Sequence, residues 1–501
     1  MGKSEVSLTE AKGFIGHSAQ PQILLNDVLK FPVSLLLLLL LGIYWITGNE
    51  VPVIFSLAVL LFLYMISGLG HKLIIPEAMA FYIIMIYLLF PLWGYQRYPA
   101  QHPLSTLFDV YMRVPREEYF EFAIPAVILF ISAMFNAQRN NDISFTSSLF
   151  TSARTRLAGV QQVGVVLIVT ALMAYFLGPR MPSGLQYVLQ LGFLAIIPGL
   201  FYLYFQPGRG LGKTVMVLTG LAWLFYLAIK STMFTLIVYM GIASLGFLFI
   251  GRKISMAGKV AVFSILLIVG LVMQYTKANY RNLIRVNKAE SGDIRVFSRL
   301  FLQNLVNIDQ AVLDGAFFPI YMRGNQGYLL SRVMEHVPGR KPHDGGRLLG
   351  KTLVSSFIPR LFWPNKPEAG GRFNIEYYTS LKLSRRTSMN VGPIGEGYGA
   401  FGKWGGMLYM IFFGTALGLA NRVFLNTCTK LPLLLFWQPL VFYEVIYCME
   451  NDSMQAFNSL IKIAFLLFIL NKIFPKLFKG KPLDSYAGYG DGGFPKLQRL
   501  D

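Results

Sequence analysis

Long apolar runs broken by short polar segments dominate this chain. The runs lie at about 31–47, 52–68, 74–94, 120–136, 160–177, 185–205, 213–229, 231–250, 259–275, 405–424, 431–448 and 457–475. Each is close to the roughly 20 residues that a helix needs to cross the hydrocarbon of a bilayer. The pattern predicts an all-α polytopic membrane protein of about twelve transmembrane helices. Lys230 is the main break between the seventh and eighth runs. Residues 1–30 are polar and mixed, and do not read as a cleavable leader. The expected organisation is an N-terminal segment over 1–30, nine membrane helices over 31–275, a large loop over 276–404, three helices over 405–475 and a tail over 476–501.

Composition agrees with that class. Of 501 residues, 54% are hydrophobic and 14% charged, against about 25% charged in soluble domains. The net charge of +20 is a weak argument for nucleic acid, because lipid and membrane potential account for basic residues equally well in such a chain. No zinc-ligand spacing or phosphate-binding glycine loop is present. Cys428 and Cys448 flank one apolar run. A helix separates its ends by about 1.5 Å per residue, so the two are expected to be free thiols.

Basic residues set the orientation. With both termini in the cytoplasm, inner segments carry 20 Lys and Arg and the short outer loops only 5. The same topology puts residues 276–404 outside. This loop holds 19 Lys and Arg against 9 Asp and Glu. Long loops cross whatever their charge, so its basic character calls for another explanation.

The loop has local structure. Asp293 to Phe318 reads as an amphipathic helix, with Phe297, Phe301, Leu305, Ile308 and Val312 on one stripe and Pro319 after its end. A polar, Gly- and Pro-rich stretch follows, rich in Arg. Arginine presents a planar fork of donors that suits phosphate oxygens. Arg347, Arg360, Lys366, Arg372, Arg385 and Arg386 are therefore candidates for holding a pyrophosphate, with Lys230 another from the outer turn. Each could equally be a solvated surface cation. Phe362-Trp363-Pro364-Asn365-Lys366-Pro367 suits the headgroup level. A Gly-rich run from Gly392 to Gly406 leads into the tenth span and presents one carboxylate, Glu396, in a tight turn whose small neighbours leave room for a sugar. Glu396 is the first candidate for a base, unless it only caps a helix. His336, His343 and Glu450 are rival bases. Tyr398, Asn390 and Trp363 are candidates for contacting sugar.

The many spans, the late outer loop, Trp363-Pro364-Asn365-Lys366-Pro367 and Gly395-Glu396-Gly397-Tyr398-Gly399-Ala400-Phe401-Gly402-Lys403-Trp404-Gly405 resemble the O-antigen and oligosaccharide repeat-unit polymerases of bacterial inner membranes. The motif likeness covers about residues 357–406. The resemblance implies a GT-C-like glycosyltransferase that joins polyprenyl-pyrophosphate-linked repeat units on the periplasmic face. It implies no nucleotide sugar, cofactor or metal, and no nucleic-acid partner. Partners would be membrane lipids, a chain-length regulator and a flippase. An O-antigen ligase is the alternative. A transporter of twelve helices is a third reading, which the scarcity of charge within the spans disfavours.

Overall fold

The computed structural model describes residues 33–138, 143–157, 160–181, 192–206, 254–287, 294–307, 314–358, 371–383 and 389–480, with Trp363 and scattered residues between 189 and 250. Among the described residues the chain is helical and no strand occurs. Seven helices among the described residues are long and apolar enough to cross a membrane: Glu50–Gly68, Ile75–Arg97, Arg116–Ala137, Met256–Lys277, Gly392–Lys430, Pro432–Glu450 and Ser453–Ile473. Shorter apolar helices cover Val33–Thr47, Gln162–Leu177 and Gly192–Phe205. Ten of the expected spans thus coincide with apolar helices. The other two, 213–229 and 231–250, lie outside the described residues apart from isolated positions.

The centre of the bundle is the pairing of Gly392–Lys430 with Arg116–Ala137. Small residues let the two backbones meet. A Cβ on Gly414 would come within 2.3 Å of the Phe130 carbonyl oxygen, and one on Gly418 within 2.4 Å of that of Met134. This small-xxx-small spacing favours close helix approach where apolar burial adds little drive.

Polar contacts gather at the two ends. At one end the Arg113 guanidinium donates to both oxygens of Glu335, at 3.1 and 3.2 Å. Ser331 Oγ accepts from the Arg113 and Val114 amides at 2.6 and 3.1 Å. Arg116 pairs with Glu50 at 2.5 Å, and Lys403 pairs with Glu121. At the opposite end Asn421 Nδ2 donates to Gln138 Oε1 at 3.1 Å, and Arg156 donates to the Lys479 carbonyl at 3.3 Å. Segments expected on one side of the membrane therefore meet at one end. Cys428 and Cys448 are both free and buried. Orientation has a direct check. Cysteine at Gly345 should react with an impermeant thiol reagent in right-side-out vesicles, whereas cysteine at Thr155 should react only after permeabilisation. The reverse pattern would invert the topology.

The large loop departs from expectation in three places. The helix Met256–Asn287 continues beyond the expected boundary at residue 275. The amphipathic segment is described as two helices: Ile294–Val306, which ends in a turn at Asn307, and Asp314–Gly324, which contains Pro319; Ile308 and Val312 lie outside the described residues. A proline inside a helix forfeits one backbone bond. Here aromatic packing offsets that loss, with Trp93 against Phe317 at 5.1 Å and Tyr98 against Phe318 at 5.2 Å between centroids. Finally, the Gly-rich run is helical from Gly392 onward, and a break at Gly402 (φ 73°, ψ −167°) separates it from the longer helix behind.

Candidate functional site

Glycines open the Gly392–Phe401 segment to aromatic neighbours of the protein itself. A Cβ on Gly399 would lie 2.5 Å from the Tyr378 ring, and one on Gly397 would lie 2.7 Å from that of Tyr409. The small side chains expected to admit a sugar here instead admit Tyr378 and Tyr409.

Between these rings Glu396 is buried, 1% exposed. Its Oε1 accepts from Asn374 Nδ2 at 2.7 Å. Its Oε2 accepts from the Ser453 amide at 3.0 Å and from Ser453 Oγ at 2.5 Å. Tyr409 in turn donates to Ser453 Oγ. Glu396 thus meets the first turn of Ser453–Ile473, where unpaired amides and the helix dipole favour a carboxylate. Asp452 caps the same helix, its Oδ1 accepting from the Gln455 amide at 2.6 Å. The capping role weighed for Glu396 from sequence is present, but it serves a helix that begins 57 residues later.

His343 lies half-buried over the break at Gly402. Its Nδ1 is 3.2 Å from the Gly399 carbonyl oxygen. A carbonyl only accepts, so this bond requires the proton on Nδ1 and leaves Nε2 as the acceptor of the neutral ring. Gly402 has φ +73°, and a Cβ there would sit 3.1 Å from Nε2. Glycine therefore satisfies both the backbone and the space around Nε2. The adjoining turn is locked by Asp344, whose Oδ1 and Oδ2 each accept a backbone amide, of Gly346 and Leu348, at 3.0 Å. Tyr378 also donates to Asp344 Oδ2, at 3.4 Å. Burial, then the Asp344 charge, raises the Tyr378 pKa, which keeps that donor protonated.

The remaining candidates are dispersed. Tyr398 and Asn390 lie within the same region. The Tyr398 ring is 5.9 Å from that of His343 and 4.8 Å from that of Phe122. Asn390 is buried, and its Oδ1 has no hydrogen-bond partner among the described residues. Arg347 and Arg372 are exposed at the same end, Arg372 pairing with Glu376 at 3.0 Å. His336 ends the Gly327–His336 helix, with its pKa lowered by burial and then by the charges of Lys341 and Arg340. Glu450 is half-buried in the turn Cys448–Glu450. Trp363 is half-buried. Arg360, Lys366, Arg385, Arg386 and Lys230 lie outside the described residues.

Sequence reasoning missed Asn374, Ser453, Tyr409, Asp344 and Tyr378. Only the Asp452-Ser453 pair had a local signal, an N-cap residue ahead of an apolar helix. Among the described residues, no group of three or more His, Cys, Asp or Glu is placed to hold a metal ion.

No curated protein and no solved structure matches the chain. Residues 144–423, more than half of the 501, match a family described as a domain of unknown function, DUF8712. That match includes His343, Arg347, Asn374 and Glu396 and stops short of Asp452 and Ser453. On this match the chain belongs to the DUF8712 family.

Proposed function

We propose that the protein is an inner-membrane glycosyltransferase that joins polyprenyl-pyrophosphate-linked oligosaccharide units on the outer face of the membrane. The observation that carries this reading is His343. Its Nδ1 is tied to the Gly399 carbonyl, and its Nε2 is left as an acceptor. The helix that follows bears exposed Arg347 and Lys351 and packs beside the apolar Ser453–Ile473 helix. A base, phosphate-binding cations and a lipid-length helix are the parts that such a transfer needs. The likeness of the Gly-rich and Trp-Pro-Asn-Lys-Pro segments to repeat-unit polymerases supports the same class.

In this mechanism a hydroxyl oxygen of the incoming unit attacks the anomeric carbon of the donor sugar. The bond from that carbon to the pyrophosphate oxygen breaks, and the bonding pair leaves with the polyprenyl pyrophosphate. The hydroxyl proton passes to His343 Nε2. Cations stabilise the charge growing on the leaving group, and the rest of the rate comes from orientation. A single displacement inverts the anomeric centre. Glu396 is the less suitable proton acceptor, because burial and three donors already occupy it. Its part in this scheme is to hold the site segment to the Ser453–Ile473 helix.

The acceptor separates this reading from the ligase alternative. Purified protein given lipid-linked oligosaccharide alone should produce a ladder of multiples. Product formed only after addition of a lipid A core acceptor would establish the ligase instead.

A further inference from the structure

The helix Arg347–Phe357 has two distinct faces. Leu348, Leu349, Thr352, Ser355 and Ser356 are buried. Ser356 Oγ donates to the Met454 carbonyl at 3.4 Å, and Ser355 Oγ is 3.7 Å from Met454 Sδ. This face is therefore seated on the first turn of Ser453–Ile473. Arg347, Gly350, Lys351, Val354 and Phe357 are exposed. Their spacing is that of a single stripe along a helix.

The stripe is graded. Its two cations lie at the end nearest His343 in the chain and are one helical turn apart. Val354 and Phe357, 55% and 68% exposed, lie at the other end. At about 1.5 Å per residue, Lys351 and Phe357 are roughly 9 Å apart along the axis. Nothing lies within 4 Å of a Cβ built on Gly350, so the middle of the stripe is open. No acid interrupts it, and the nearby Asp344 carboxylate is engaged by backbone amides. Arg and Lys at one end with Val and Phe at the other suit a surface that meets a charged head and an apolar chain together, and charges would not face lipid tails alone.

We propose that this stripe seats the polyisoprenyl diphosphate carrier of the donor. Arg347 and Lys351 hold the diphosphate, and Val354 and Phe357 receive the first isoprene units. The order of charge and apolar surface along the helix matches the order of head and chain in that lipid. Arg347 follows His343 closely in the chain, so the seat places the carrier's head at the end of this helix nearest the proposed base. This assignment rests on the transferase reading above.

The test uses the full chain in phosphatidylcholine nanodiscs. The probe is a sugar-free C55 polyisoprenyl diphosphate carrying a diazirine on its first isoprene unit. A diazirine phosphatidylglycerol serves as the comparison lipid. Crosslinked peptides should map to residues 347–357. The double variant R347Q/K351Q should weaken that labelling about tenfold or more, since charge-assisted phosphate contacts are lost. F357S should weaken it several-fold, and both variants should elute as wild type on gel filtration. Equal labelling by phosphatidylglycerol, labelling confined to other segments, or full labelling of the double variant would each overturn the assignment. The probe bears no sugar, so labelling is independent of turnover. A chain that is labelled at 347–357 but forms no polymer supports the carrier seat and counts against the transferase reading. A chain that polymerises without such labelling overturns the seat alone.

Discussion

Replacing His343 by glutamine should lower glycosidic bond formation by about 100- to 10,000-fold, the usual cost of losing a general base. Glutamine is close to histidine in reach and can still donate to the Gly399 carbonyl, so the turn held by Asp344 should survive. It has no lone pair basic enough to take the hydroxyl proton. Binding of lipid-linked substrate should therefore persist while turnover falls. Single-turnover kinetics with purified protein separate the two. The neighbouring glycine gives an independent check. Gly402→Ala meets a positive φ and crowds Nε2 at 3.1 Å, so it should depress turnover as well. A fully active His343→Gln variant would remove His343 from the chemistry and leave Glu396, His336 and Glu450 as the bases to test.

Glu396→Ala should destabilise the protein by about 3 kcal/mol or more. The substitution strands three buried donors, the Asn374 amide, the Ser453 amide and Ser453 Oγ. Each unmet donor costs about 1–3 kcal/mol, and the vacated space adds to that cost. Glu396→Gln should be milder. Its carbonyl can face Ser453, and its amide can donate to Asn374 once that side chain turns its own oxygen inward. Thermal unfolding in detergent should rank wild type above Glu396→Gln, and Glu396→Gln well above Glu396→Ala. Retained turnover in the Gln variant would establish a positioning role. Intact folding of Glu396→Gln with turnover abolished would instead restore Glu396 as the base.

The spans were legible because apolar length is a property of the sequence alone. Ten of the twelve predicted runs coincide with apolar helices, from Val33–Thr47 to Ser453–Ile473. The loop was less legible. Glycine weakens a helix interior by up to about 1 kcal/mol per residue, so the run from Gly392 to Gly406 read as a turn. It is helical because Tyr378, Tyr409 and Phe122 fill the space that larger side chains would take, a reason that no local pattern contains. Pro319 misled in the same way, for the aromatic contacts that tolerate it come from Trp93 and Tyr98, more than 200 residues earlier. Glu396 and His343 were both named from residue type and context. What separates them is burial and partners: Ser453 closes on one, and a backbone carbonyl orients the other while leaving its second nitrogen open. Of the loop cations named as phosphate candidates, Arg347 and Arg372 are exposed, and Arg360, Lys366, Arg385 and Arg386 lie outside the described residues.

The proposed transfer makes each glycosidic bond by releasing a polyprenyl pyrophosphate. Mass spectrometry of a reaction containing purified protein and lipid-linked oligosaccharide tests it directly. One polyprenyl pyrophosphate should be released for each new glycosidic linkage, with both signals reduced together in His343→Gln. Oligosaccharide that stays joined to its original carrier, with no linkage formed at any protein concentration, would contradict it.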